Sequence, residues 1–154
     1  MKIHVFLVGK TSEAYLKEGI DIYLKRITNY ISLKVETLTP SKEKDKKKAI
    51  KEESRSILSK LLPADFIVVL DEGGKEISSK QLAELFQTWM VRGIGRVVFI
   101  TGGAYGINPE LKQRSDLILS LSKLTFTHQM VRLIFFEQVY RAMTIIKNEN
   151  YHHD

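Results

Sequence analysis

The stretch "FIVVL", residues Phe66–Leu70, decides the fold. It is five apolar residues without a break, three of them β-branched, between "PAD" and "DEGG". A strand with one wet face would alternate polar and apolar residues. An unbroken run of this length predicts a strand covered by helices on both faces, the habit of parallel α/β sheets. Its neighbours agree. "IHVFLV" (Ile3–Val8), "LKVETL" (Leu33–Leu38), "RVVFIT" (Arg96–Thr101) and "LILSLS" (Leu117–Ser122) also read as strands.

Helical patterns fall between them. One places Tyr15, Leu16, Ile20, Tyr23, Leu24 and Ile27 on a single face; another does so with Leu82, Leu85, Phe86, Trp89 and Met90. A charged helix runs on towards Pro63, and a short one fits Pro109–Arg114, with Asn108 as cap and Pro109 in its first turn. "DEGGKEISS" after Leu70 reads as a turn-rich loop whose serines cap the following helix. Strands alternating with helices predict an α/β fold, a mostly parallel sheet with helices on both faces. A length of 154 residues predicts one domain spanning 1–154.

Composition narrows the class. Apolar residues at 44% and charged residues at 27% exclude a disordered chain. The absence of cysteine excludes disulfides, thiolate metal sites and a cysteine nucleophile, and it fits a cytoplasmic location. No apolar stretch is long enough to cross a membrane, because Arg132, Glu137, Gln138 and Arg141 interrupt the best candidate, Met130–Ile146. A net charge of +6 suits a polyanionic partner. "SKEKDKKKAIKEESR" (Ser41–Arg55) holds seven basic and four acidic residues. It reads either as a solvated helix face with pairs such as Lys48 to Glu52, or as a patch that contacts phosphate.

The last helix pattern is apolar nearly all round, from Met130 and Val131 to Ile145 and Ile146. Such a helix needs cover on two sides, which predicts a homodimer.

In parallel sheets ligands sit at the carboxyl ends of strands. Three loops qualify: the one after Leu70, "GGAYG" after Thr101, and "SKLTFTHQMVR" (Ser122–Arg132). "GKT" (Gly9–Thr11) is no P-loop, since the required earlier glycine is His4. The adjacent His152 and His153 lack the further ligands a metal site needs, so no metal is expected.

Together, "FITGGAYG", "SLSKLTFTHQMVR", "EQVYRA" and the terminal "YHH" closely resemble the SPOUT-class methyltransferases that modify pseudouridine in 23S ribosomal RNA. The likeness runs the length of the chain and includes "VGK" and "LLPADFIVVLDEGGK". It implies a trefoil knot in the C-terminal half, a homodimer with its active site near the subunit boundary, and S-adenosylmethionine as cofactor. It also implies methyl transfer to N3 of a pseudouridine within the ribosome. By the same resemblance the cofactor contacts are Leu70, Gly102, Leu121, Ser122, Lys123, Leu124, Thr125 and Phe126. The candidates for removing the N3 proton, or for stabilising the charge it leaves, are His128, Arg132, Arg141, Tyr151, His152 and His153.

Two positions depart from the family pattern. Thr127 stands where a proline usually precedes the histidine, and His153 stands where Lys or Arg is usual. A factor that binds RNA without transferring methyl, and a nucleotide-dependent oxidoreductase, are the rival readings. The intact glycine and hydroxyl loops oppose the first. The missing dinucleotide fingerprint after the first strand opposes the second.

Overall fold

A computed structural model describes residues 1–153, leaving Asp154 outside it. The strands are β1 (Lys2–Val8), β2 (Ser32–Leu38), β3 (Phe66–Glu76), β4 (Arg96–Thr101) and β5 (Leu117–Ser120). The helices are α1 (Ala14–Ile27), α2 (Lys46–Leu58), α3 (Ser79–Val91), α4 (Pro109–Arg114) and α5 (Met130–Ile146). The strands form one sheet in the order β2-β1-β4-β3-β5, and every neighbouring pair is parallel.

The period of two along the strands divides the core. Ile3, Val5 and Leu7 join Val68, Leu70, Phe99 and the buried faces of α1, α3 and α5 on one side. Phe6 and Val8 join Val69, Ile100, Ile57 of α2 and Leu111 of α4 on the other. Both faces of the sheet are therefore covered, and Val68 and Val69, which point in opposite directions, are each fully buried.

Local chemistry sets the helix starts. The Ser78 hydroxyl accepts from the Gln81 amide while Gln81 bonds back to Ser78, a reciprocal cap at the head of α3. The Asn108 side chain accepts from the Glu110 amide at 2.8 Å, with Pro109 in the first turn of α4. Asp45 caps α2 by accepting from the Lys48 amide at 2.8 Å. The expected pairing of Lys48 with Glu52 is absent. Glu52 instead accepts from the Ser41 hydroxyl, and Glu53 from the Ser41 amide.

β3 differs from its expected end at Leu70. It runs on to Glu76, with its register against β5 shifted between Leu70 and Lys75. Gly74 permits this. A Cβ there would lie 2.7 Å from the backbone of Ile118 and Leu119, so only glycine lets the returning strand cross so closely.

The cover expected for α5 from a second subunit comes in good part from the chain itself, because α5 packs against both α1 and α3. Phe135, Phe136, Val139, Ala142 and Met143 are buried, while Leu133, Ile134 and Tyr140 are half-buried. Among the described residues no helix is long and apolar enough to cross a membrane, and no group of three or more metal-binding side chains occurs.

Candidate active site

The carboxyl ends of β3 and β4 open into a cavity of about 480 Å³. Its walls are Leu70, Asp71 and Glu72 of β3, the Thr101–Ile107 stretch at the end of β4, and Phe126, Thr127, His128 and Val131. A smaller hollow of about 100 Å³ adjoins it and shares Leu70, Glu72 and Phe126. That hollow adds Leu119, Leu121, Ser122 and Leu124. All three loops singled out from the sequence thus meet at one place.

The Thr101–Ile107 loop is folded tightly on itself. Gly103 and Gly106 form a bridge, and Gly106 takes a φ of 86°. A Cβ on Gly102 would stand 2.7 Å from the Gly106 carbonyl oxygen and 2.8 Å from Ile107. Only glycine fits there. The hydroxyl of Thr101, at the root of the loop, is buried and has no partner.

The loop from Leu121 to Phe126 is stitched by short bonds. The Ser120 hydroxyl donates to the Ser122 carbonyl, and the Ser122 hydroxyl accepts from the Leu124 amide. Of the residues implied as cofactor contacts, Leu70, Gly102, Leu121, Ser122, Leu124 and Phe126 line one or both hollows. Leu124 is nonetheless 72% exposed, so it forms a rim rather than a wall. Lys123 and Thr125 line neither. Lys123 projects outward to Glu76 at 3.5 Å, and the Thr125 hydroxyl donates to Glu72 at 3.3 Å.

Asp71, Glu72, Thr101 and the rest of the 103–107 loop had not been named as contacts. The sequence signal for the acids was their place directly after a buried strand. Asp71 is held by Lys112 at 2.6 Å.

The six candidate catalytic side chains fall in different places. His128 borders the larger cavity. Burial lowers its pKa below the ordinary 6.5, and the Arg132 charge one turn on pushes the same way.

Arg132, a candidate for stabilising charge in the active site, lies fully inside. It donates to the Val8 carbonyl at 2.6 Å and to the Thr11 hydroxyl at 3.0 Å. Its Nε has no partner, and burial without a paired carboxylate lowers its pKa. The physical reason is position. The first turn of α5 crosses the end of β1, so the guanidinium is sealed against the Gly9–Glu13 loop. Gln129 beside it accepts from the amides of Ser12 and Glu13.

Arg141, Tyr151 and His152 form a separate cluster. Arg141 donates to Glu137 at 3.0 Å, sits over the Tyr151 ring at 4.7 Å and lies 3.4 Å from the His152 ring nitrogen. Tyr151 donates to Glu137 at 3.2 Å, and burial together with its contact to the Tyr23 hydroxyl raises its pKa. His153 is exposed. None of Arg141, Tyr151, His152 and His153 lines either hollow, and Arg141 lies eleven residues beyond Met130 along α5, roughly 16 Å of helix. Within one chain the tail cluster therefore does not reach the cavity.

The volume suits a cofactor-sized ligand, since such pockets span about 300–1,000 Å³. Apolar walls from Leu70, Leu121 and Phe126, close backbone at Gly102, the unpaired Thr101 hydroxyl and the carboxylates of Asp71 and Glu72 fit a molecule with an aromatic ring, hydroxyls and positive charge.

Comparison with known proteins agrees. A family model described as "Predicted SPOUT methyltransferase" matches residues 1–152. The chain is 44% identical to Ribosomal RNA large subunit methyltransferase H of Christiangramia forsetii, over 99% of both chains. It is 41% identical to the protein of the same name from Porphyromonas gingivalis, over the full length of both. Among solved structures, a probable methyltransferase from Bordetella pertussis superposes with a TM-score of 0.54, covering 92% of this chain and 96% of that one, at 10% identity. A putative methyltransferase from Legionella pneumophila, solved with bound SAM, superposes at 0.50 and 11% identity, covering 90% of this chain and 65% of that one. These two distant likenesses concern the fold, and the family model with the near relatives settles the kinship: this chain belongs to the SPOUT methyltransferase family.

Proposed function

We propose that this protein transfers a methyl group from S-adenosylmethionine to N3 of a pseudouridine in 23S ribosomal RNA. The observation that carries the reading is the pair of adjoining hollows where Leu70–Glu72 of β3 and the loop after β4 meet the 121–128 segment. The names of the near relatives support ribosomal RNA of the large subunit as substrate.

S-adenosylmethionine, when bound, supplies a methyl group made electrophilic by its sulfonium. The chain's part is to hold and align. Leu70, Leu121 and Phe126 form the apolar wall for an adenine ring, Gly102 brings backbone groups close, and the Ser122 turn fixes the loop. Lys123, Leu124 and Thr125 make up its outer rim. Glu72 sets a negative charge beside the cavity. The N3 proton of the acceptor must leave as the N–C bond forms. His128 borders the cavity, and burial holds its pKa below the ordinary value, which favours the neutral ring with a nitrogen able to accept that proton. Arg132 acts at a distance by fixing the loop and the first turn of α5.

Arg141, Tyr151, His152 and His153 serve the site across a homodimer, the tail of one subunit closing the cavity of the other. Their absence from both hollows within one chain supports this arrangement. The chain is a single domain, with the 121–129 segment tucked through the C-terminal half as a trefoil knot. Support comes from β5 lying at the sheet edge while the next residues return to the end of β1, where Arg132 is sealed in.

The deciding experiment compares methyl transfer to ribosomes that contain or lack pseudouridine. Transfer only to the former is expected. Equal transfer to both would remove the pseudouridine claim. A chain ending at Asn150 should retain cofactor binding and lose most turnover, and unchanged turnover would remove the role of the tail.

A further inference from the structure

The charged segment from Lys42 to Arg55 remains to be explained. Three of its four acids are engaged locally: Asp45 accepts from the Lys48 amide, Glu52 from the Ser41 hydroxyl and Glu53 from the Ser41 amide. Its cations are not. Lys42, Lys44, Lys46, Lys47, Lys48, Lys51 and Arg55 are all exposed, and none of them forms an ion pair among the described residues. Lys47, Lys51 and Arg55 follow one another at intervals of four along α2, so they make a continuous positive stripe.

The segment is also tied to the cavity mouth. Lys46 lies 5.8 Å from the centre of the Tyr105 ring, and a Cβ on Gly103 would lie 3.1 Å from a Glu53 carboxylate oxygen. Tyr105 lines the larger cavity yet leaves 49% of itself in solvent. A large aromatic at a polar rim, next to an unneutralised row of lysines, has the makings of a nucleic-acid surface. The lysines meet phosphates as point charges, and an exposed ring offers a face on which a base stacks.

We propose that the outer face of α2, with Tyr105 at its inner edge, docks the ribosomal RNA strand beside the cofactor cavity. The inference rests on the RNA methyltransferase reading and names the surface that brings the substrate to that site. The phosphate backbone runs along Lys47, Lys48 and Lys51, and a base flanking the target stacks on Tyr105.

The test uses the full chain carrying Lys47→Gln, Lys48→Gln and Lys51→Gln together. These side chains are exposed and lie outside the cofactor walls, and circular dichroism checks that the fold is kept. Binding is measured against purified large ribosomal subunits and against naked ribosomal RNA, over a range of salt. Affinity for both should fall roughly tenfold or more at low salt, and the salt dependence should become shallower by about 0.7–0.9 per lost phosphate contact. S-adenosylmethionine affinity, read by calorimetry, should not change. Tyr105→Leu should weaken RNA binding without altering the salt dependence, because it removes stacking and no charge. Unchanged RNA affinity in the triple variant overturns the proposal. A loss seen only with intact subunits also overturns it, because it assigns the face to a ribosomal protein. A native chain that binds RNA through these lysines but takes no S-adenosylmethionine would strike the methyltransferase reading instead.

Discussion

Arg132 on α5 donates from Nη2 to the carbonyl oxygen of Val8 at 2.6 Å, joining two residues 124 apart in sequence. The bond is buried, and Nη1 of the same fork reaches Thr11. One side chain thus fastens the end of β1, the loop after it and the start of α5. The carbonyl that closes β1 finds its donor there, so the desolvated acceptor is satisfied, while the cation keeps only its Nε unpaired.

Arg132→Lys should therefore lower stability by about 1–3 kcal/mol, since one ammonium nitrogen on a shorter side chain replaces the two fork nitrogens that reach Val8 and Thr11, and weakens at least one of the bonds. Urea unfolding reads this as a lower midpoint at unchanged slope. Cofactor affinity should fall as well, because the loop that carries His128 is fixed through this fork. An unaltered midpoint would show that the fork holds nothing.

The pH response of His128 has a definite sign. Its folded pKa lies below 6.5, so the unfolded chain binds more protons in the window just under that value. The stability it permits is full above pH 6.5 and declines as pH falls below it. His4 shifts in the same direction, through burial and the nearby Arg96. His128→Asn should flatten the decline in stability as pH falls below 6.5, with His4→Asn as the comparison. If His128 accepts the N3 proton, its variant also loses turnover at every pH, with cofactor binding kept.

Asp65, just before β3, and Arg96, at the start of β4, form a half-buried two-pronged pair near the opposite end of the sheet. Burial alone would raise the Asp65 pKa. Hydrogen bonds from Arg96 and the Leu62 amide outweigh it and hold the carboxyl below its ordinary value. Its contribution is present above pH 3.8 and is lost as pH falls through the lower folded value. Asp65→Asn should cost about 1.5–3 kcal/mol at pH 7, the worth of a charged hydrogen-bonded contact. That cost should shrink on acidification, as read by denaturant unfolding from pH 7 to 3.

Gly102→Ala tests the fit of the glycine loop. The new methyl would meet the backbone of Gly106, which has no flexible end to move aside. Overpacking of this kind costs about 1–3 kcal/mol. The loop must shift, and calorimetry should show cofactor affinity reduced at least roughly tenfold, equivalent to about 1.4 kcal/mol. Native affinity in the variant would show that the loop lies away from the ligand.

Much of the fold was legible in single stretches. The unbroken "FIVVL" implied helices on both faces, and β4 and α4 begin and end where pattern and capping place them. Hydrophobic periodicity and caps are local signals, so they survive in the sequence. The three loops that meet at the cavity were legible too, because parallel strands put their carboxyl ends on one side.

What the sequence could not decide depends on which groups lie opposite one another. It determined the alternation of elements, the glycine loop and the hydroxyl-rich loop. Only the tertiary structure decided that Arg132 faces inward to Val8, that β3 continues past Leu70 beside β5, and that Glu52 turns to Ser41 rather than Lys48. It also decided that His128 lines the cavity while Arg141 lines neither hollow. Each outcome depends on which groups the fold sets opposite one another, most clearly at the buried Arg132–Val8 bond, where the partner is set by how a helix meets a strand and not by spacing along the chain.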